Sequence, residues 1–254
     1  MRRLIAIATS LTVLTAGLGG CQPADPSKKL ARQYRLTDEQ CVLRGGWFSN
    51  APSTPQLWNH VLSAKPGAQI ELSPTLRNGP GLSSGEAGCL RDITSDPKGL
   101  TATWTSDGKL VLTVPQDAPS GQIYTIAATY GGKNVRAEVA VYRPDSQPLV
   151  GGWHQKVGCG GREPMRELIF AADGSFRATY TPFESYYDFW GSYRFDTETS
   201  TLTLDITGGN KVPDTARDGT IEIEGDSFRL GTANLGGGDG SVCTAPFTRR
   251  KARG

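Results

Sequence analysis

The densest group of side chains able to do chemistry lies between residues 180 and 195. Tyr180, Phe183, Tyr186, Tyr187, Phe189, Trp190, Tyr193 and Phe195 place eight aromatic rings within sixteen positions. Ring faces suit sugars or planar apolar molecules, and phenolic hydroxyls add hydrogen bonds at the tips. Tyr180, Phe183, Tyr186, Tyr187, Trp190 and Tyr193 are therefore the candidate ligand-binding residues. The plainer reading is that the rings fill a core. Glu184 and Asp188 stand among them, and a pair of carboxylates can flank a glycosidic bond. Loop carboxylates are usually solvated, so a hydrolase ranks below a binding protein. No Gly-x-Ser-x-Gly elbow occurs, and neither His60 nor His154 has a readable nucleophile beside it. No catalytic residue is assigned, and the chain is expected not to be an enzyme.

Metal and phosphate chemistry fare no better. No cysteine pair has Cys-x-x-Cys spacing, and the two histidines are not clustered with other ligands. The glycine runs at 208–209 and 236–240 lack the following Lys-Ser/Thr of a phosphate loop, and read as turns. Asp239 and nearby acids match no calcium-loop spacing. No metal and no cofactor is expected.

The N-terminus is an address. Arg2 and Arg3 precede an apolar run from Leu4 to Leu18, shorter than the ~20 residues that span a bilayer. Leu18-Gly19-Gly20-Cys21 resembles the lipobox of bacterial lipoproteins. That resemblance implies cleavage after residue 20, acylation of Cys21 and a palmitate-type anchor. Several acyl chains hold where one alone is marginal. Gln22 rather than Asp after the cysteine resembles an outer-membrane sorting signal. Removing residues 1–20 takes two of the 27 basic residues and none of the 25 acidic ones, leaving 25 against 25. A neutral body offers no footprint for nucleic acid. The basic run at 249–253 reads as a solvated terminus.

Export to an oxidising compartment would pair the four remaining cysteines, Cys41, Cys89, Cys159 and Cys243. Four cysteines permit three connectivities. The domain split favours Cys41–Cys89 and Cys159–Cys243.

The elements follow from period and punctuation. Residues 21–40 read as a polar, proline-broken tether after the lipid. Short helices are expected at 37–44 and at 54–64, the latter from Leu57, Trp58, Val61 and Leu62 at helical spacing. From Ala68 the period becomes two. Strands are expected at 69–72, 100–104, 110–114, 123–130 and 135–142, with Asp107-Gly108 turning a hairpin. Residues 143–150 form a linker. Beyond it about eight hairpin-linked strands fill a hundred residues, and closing such a meander into a barrel removes its edges.

The first strand set, at roughly 66–144, resembles bacterial immunoglobulin-like repeats in its rhythm and in its Val-rich last strand running into Tyr142-Arg143-Pro144. The second carries Gly152-Trp153, Leu168-Ile169-Phe170-x-x-Asp173-Gly174-x-Phe176, Trp190-Gly191-x-Tyr193-x-Phe195-Asp196 and Pro246-Phe247-Thr248-Arg249. These resemble small lipocalin-like barrels of bacterial envelope lipoproteins.

The expected protein is therefore all-β. A signal peptide spans 1–20 and a lipidated tether 21–40. A helix-preceded Ig-like sandwich occupies 41–145, and an eight-stranded antiparallel up-and-down barrel 150–250. It reads as a monomeric, outer-membrane lipoprotein that binds a small ligand in the barrel or an envelope protein. Protease inhibition by the barrel's leading segment, which the lipocalin-like resemblance implies, is the alternative.

Overall fold

The computed structural model describes residues 26–43, 53–58, 61–78, 81–159, 163–180, 188–213, 218–235 and 242–250. The lipobox, Cys21 and the signal segment lie outside these residues. So do His60, Phe183, Glu184, Tyr186, Tyr187 and Asp239.

The chain is all-β; among the described residues the exceptions are one helix, α1 (Pro26–Tyr34), and a single 3-10 turn at Ala87–Cys89. Two hydrophobic clusters that share no residue organise it, one before residue 142 and one after residue 148. Ten strands build the first half: β1 (Thr54–Gln56), β2 (Leu62–Ala64), β3 (Gln69–Glu71), β4 (Thr75–Asn78), β5 (Gly81–Ser84), β6 (Leu90–Asp96), β7 (Thr101–Trp104), β8 (Leu110–Thr113), β9 (Ile123–Tyr130) and β10 (Lys133–Val141). They form three sheets, β1-β4-β5, β2-β10-β9-β6 and β3-β8-β7. The long pair β9–β10 alternates until Val139, after which Ala140 and Val141 are buried too. Tyr124, Ile126, Ala128 and Tyr130 face Val135, Ala137 and Val139 in one core, while Arg136 and Glu138 are exposed. Leu110 and Leu112 of β8 enter the same core from another sheet.

Of the helix expected at 54–64, the described residues 54–58 and 61–64 form none. Leu57 is buried in the core, just after strand β1, and Leu62–Ala64 is strand β2. β1 pairs with β4, and β2 runs parallel to β10, Leu62 opposite Val139. Pairing with waiting sheet edges outweighs a local apolar period, and Pro55 is tolerated because β1 is an edge strand. Of the helix expected at 37–44, the described residues 37–43 make one turn, Cys41 N–H bonding to Thr37 O.

Of the segment 21–40 expected as a lipidated tether, residues 26–40 are described, and they include a helix. Pro26 opens α1, whose Lys-Lys-Leu-Ala-Arg-Gln stretch is made of good helix formers. The chain after it is docked. The Tyr34 ring stacks on Trp104 at 5.5 Å and its hydroxyl donates to Ser106 O at 2.7 Å. Arg91 donates to the carbonyls of Leu36 and Gly88, and the Cys41–Cys89 disulfide fixes the join.

The second half is a closed eight-stranded barrel: β11 (Gly151–Gln155), β12 (Glu167–Phe170), β13 (Ser175–Thr179), β14 (Phe189–Asp196), β15 (Thr201–Gly209), β16 (Gly219–Glu224), β17 (Ser227–Leu230) and β18 (Phe247–Arg249). Each strand pairs antiparallel with the next, and β18 returns to β11, Gln155 opposite Phe247. The hairpins are set by turn chemistry. Asp173 Oδ1 accepts from the Ser175 N–H and hydroxyl, and Gly174 takes a positive φ of 84°.

The barrel's two ends differ. The linker end has tight hairpins at 171–174, 197–200 and 225–226. The other end carries the long connections 156–166, 180–188, 210–218 and 231–246. Cys159 and Cys243 join two of these, with Cα atoms 5.4 Å apart. Both disulfides thus lie within their own half, closing loops worth about 4 kcal/mol each in the loop-entropy treatment.

Arg249 closes the ring at the linker end. Its guanidinium donates to Val150 O and Pro148 O, both at 2.7 Å, and to Asp226 Oδ1 at 3.1 Å. It also lies 4.1 Å from the centre of the Trp153 ring. Trp153 is wholly buried and donates from its indole to Leu149 O. Arg249→Ala should destabilise the barrel by about 3 kcal/mol, since two carbonyls lose a charged donor and the indole loses its cover. Urea unfolding followed by tryptophan fluorescence will read this, and Arg249→Lys should recover less than half of it.

Candidate functional site

The barrel is filled by its own residues. Trp153, Leu168, Phe170, Phe189, Leu202, Phe228 and Phe247 are at most 1% exposed. Phe228 stacks on Phe247 with ring centres 4.6 Å apart and meets Trp153 edge-on at 4.9 Å. The long-connection end is stoppered. Met165, Ala233, Leu235 and Cys243 are buried there. Gln155, 2% exposed, spans the stopper: its amide donates to Ala245 O, and its oxygen accepts from Met165 N–H.

Against this background the candidate aromatic residues separate. Tyr193 belongs to the core. Its ring packs on Phe170 at 4.6 Å and its hydroxyl donates to Ala171 O at 3.0 Å. Burial pushes the phenol well above its ordinary value of 10, and the nearby Asp173 charge adds to this. Tyr180 is half-buried against the same core at the opposite end of the barrel. Trp190 points outward. It is 41% exposed, although it follows the wholly buried Phe189. Phe183, Tyr186 and Tyr187 lie outside the described residues. The three described residues thus occupy three surroundings: core floor, loop base and outer wall.

The outer wall holds a groove of about 350 Å³ lined by Ile169, Ala171, Ser175, Phe176, Arg177, Trp190 and Gly191. Its geometry depends on two glycines. β14 and β15 slip register between Trp190 and Gly191, where a Cβ on Gly191 would stand 1.9 Å from Asp205 O. Gly208 lies under the indole, and a Cβ there would meet the Trp190 ring at 2.9 Å. A bare backbone lets the ring lie flat on the sheet with one face open. Ring and periodicity marked Trp190 in the sequence, but only the register showed which face it takes.

Asp188, the second carboxylate considered for acid–base work, is 2% exposed and committed to the backbone. Its Oδ2 accepts from Tyr180 N–H at 2.6 Å, its own N–H bonds to Ala178 O, and its carbonyl accepts from Lys211 N–H. It ties the base of the loop between β13 and β14. His154 occupies the face of β11 opposite Trp153 and Gln155, with its Nδ1 buried and unpartnered among the described residues. No group of three or more His, Cys, Asp or Glu that could hold a metal occurs among the described residues. No described helix is long and apolar enough to cross a membrane.

Comparison with protein-family models, with curated proteins and with solved structures gives no match to this chain.

Two outcomes follow from these assignments. Asp188→Ala should cost about 2 kcal/mol through the orphaned Tyr180 N–H, with Asp188→Asn milder because its amide oxygen can still accept. Native stability should fall as pH rises above about 10, because Tyr193 holds its proton more tightly folded than unfolded. That contribution is complete below pH 10, and Tyr193→Phe should flatten the loss in unfolding curves at pH 9 to 11.5.

Proposed function

We propose that this chain is a cell-envelope lipoprotein, acylated at Cys21, with a non-catalytic binding role exerted on an envelope protein. The observation that carries the binding reading is the contrast between a barrel packed solid with aromatic side chains and an exposed tryptophan on a glycine bed outside it. With the interior occupied, an external face is the better candidate for contact. Aromatic residues set in shallow grooves are the usual anchors of protein interfaces.

Export is supported by the pairing of all four non-lipid cysteines, an arrangement that persists in oxidising compartments. On this reading Gln22 directs the anchored protein to the outer membrane. The N-terminal half is read as an Ig-like sandwich. In support, β2 runs parallel to the last strand β10, while the rest of that sheet is antiparallel and shares one core with β3-β8-β7. The barrel is read as lipocalin-like on its eight-stranded meander and its opening Gly152-Trp153. The sandwich then serves as a rigid spacer between membrane and barrel.

Protease inhibition by the segment leading into the barrel meets a physical obstacle. That segment is held by Arg249 at Pro148 and Val150, so it is not free to enter a cleft. Acid–base catalysis meets another in the commitment of Asp188.

Metabolic labelling with a clickable palmitate analogue should tag the wild-type chain, and Cys21→Ser should lose both the tag and membrane retention. An untagged wild-type chain would remove the lipoprotein reading. For the contact surface, a photo-crosslinking residue at Ser192, on the Trp190 face, should capture one protein in intact cells, and the same residue at Arg229 should not. Trp190→Ala should lower that capture more than tenfold with unchanged thermal unfolding; equal capture from both positions would sink the assignment.

A further inference from the structure

A second concavity, separate from the Trp190 groove, lies where the two halves meet. It measures about 430 Å³ and is lined by Lys65, Tyr142, Pro144, Gln147, Pro148, Val150, Gly225, Asp226 and Arg249. Its walls come from four places: the end of β2, the end of β10, the linker, and the β16–β17 turn with β18. That volume falls in the ordinary range for small-ligand pockets, roughly 300–1,000 Å³, and such pockets favour domain junctions.

The walls are fixed before any ligand arrives. Ala172 N–H donates to Ser63 Oγ at 2.8 Å across the junction, and Gln147 donates from its amide to Ala172 O. Gln147 Oε1 accepts from Ser120, and Tyr142 N–H bonds to Ala64 O. Ala140, Val150 and Ala172 form a small apolar cluster, with Val61 and Tyr142 packed on it. Arg249 cannot swing, because its donors are committed to the linker carbonyls and Asp226.

Three polar groups in the cavity retain unused capacity. Lys65 is exposed and forms no ion pair among the described residues. The Tyr142 hydroxyl makes no hydrogen bond among the described residues. Burial raises its affinity for its proton, while the Arg249 charge acts against this, so at neutral pH it is a donor. Asp226 gives Oδ1 to Arg249 and leaves its side chain 84% exposed. Two cations against one carboxylate leave the cavity one positive charge in excess. Pro144, Pro148, Val150 and the Tyr142 ring supply apolar surface. A free ammonium, a hydroxyl donor, a carboxylate acceptor and apolar rims make a set that a carboxylate-bearing sugar ring satisfies. Its carboxylate meets Lys65, its hydroxyls meet Tyr142 and Asp226, and its C–H face meets the prolines.

We propose that the junction of the two halves binds an acidic monosaccharide or the end of an acidic polysaccharide, with Lys65 taking the carboxylate and Tyr142 a ring or carboxyl oxygen. This site is independent of the Trp190 surface, and neither assignment requires the other.

The test is calorimetric titration of the full chain with D-glucuronate, alongside D-glucose and acetate at matched ionic strength. Glucuronate should bind with a sub-millimolar Kd. Glucose, lacking the charge, and acetate, lacking the ring, should each bind at least tenfold more weakly. Lys65→Gln should lower glucuronate affinity at least tenfold and Tyr142→Phe about threefold. Lys65 is exposed and its ammonium has no partner among the described residues, so that variant should unfold at the wild-type temperature. Digalacturonate provides the final arm: tighter binding than the monomer identifies a polymer end, equal binding a free sugar, and both support the site. Glucuronate binding no better than acetate, or undiminished in Lys65→Gln, overturns it.

Discussion

One guanidinium holds the second half together. Arg249 sits in the last strand, yet its hydrogen bonds go to carbonyls that precede the first strand, and its plane covers the tryptophan that opens that strand. A meander of hairpins specifies its own neighbours locally, but closing the ring requires the first and last strands to meet across nearly a hundred residues. Only three residue pairs register β11 on β18. Loop-closure entropy opposes that contact, and backbone bonds alone contribute little net free energy. A charged donor shared by two part-buried carbonyls, beside a buried indole, supplies what the short ladder lacks. The same contacts fix the linker and therefore place the first half relative to the second.

The asymmetry of the barrel follows from this closure. The linker end is tied by Arg249, Trp153 and tight hairpins, so its loops are short. Long connections gather at the other end, where the Cys159–Cys243 bridge and Gln155 hold the stopper. Gln155 is a polar side chain in an apolar place, and it is tolerated because donor and acceptor are both used. Asp188 has a similar role at the neighbouring connection between β13 and β14. Both buried polar residues thus satisfy backbone where the chain leaves regular structure, and neither is left free for chemistry.

Much of the fold was legible because hairpins are local. Asp107-Gly108, Asp173-Gly174 and Gly225-Asp226 mark turns whose flanking residues alternate, and β9 spans 123–130 as its pattern predicts. The cysteine pairing followed once the halves were separated. The region before residue 100 was less legible. β1 and β2 are three residues each, too short for a period to be seen, and their pairing partners are distant in sequence. Leu57, Trp58, Val61 and Leu62 suit a helix face, but Leu57 is in the core, Trp58 bonds to Glu138 O, Val61 packs at the junction and Leu62 of β2 pairs with Val139 of β10. α1 was hidden by the prolines around it. The candidate site was legible only as composition. The ring-rich stretch 180–195 groups Trp190 with Tyr193, whereas the alternation of β14 sends them to opposite faces of one strand.

The location of empty space has a physical cause. A small barrel must exclude water from its axis, and large aromatic side chains do so here with wholly buried rings. A sheet stack fills itself in the same way, since inward residues from facing strands share one core. Around these rings and branched residues, the described interior of each half is close-packed. Where two finished cores abut, no such demand exists. Among the described residues they are joined by the small cluster of Ala140, Val150 and Ala172, with hydrogen bonds from Ala172 N–H to Ser63 Oγ and from the Gln147 amide to Ala172 O beside it. Convex bodies touching over a small apolar patch leave a crevice beside it. Polar residues can stand in that crevice without being buried. Lys65, Tyr142 and Asp226 do so, with binding capacity that the fold itself does not consume.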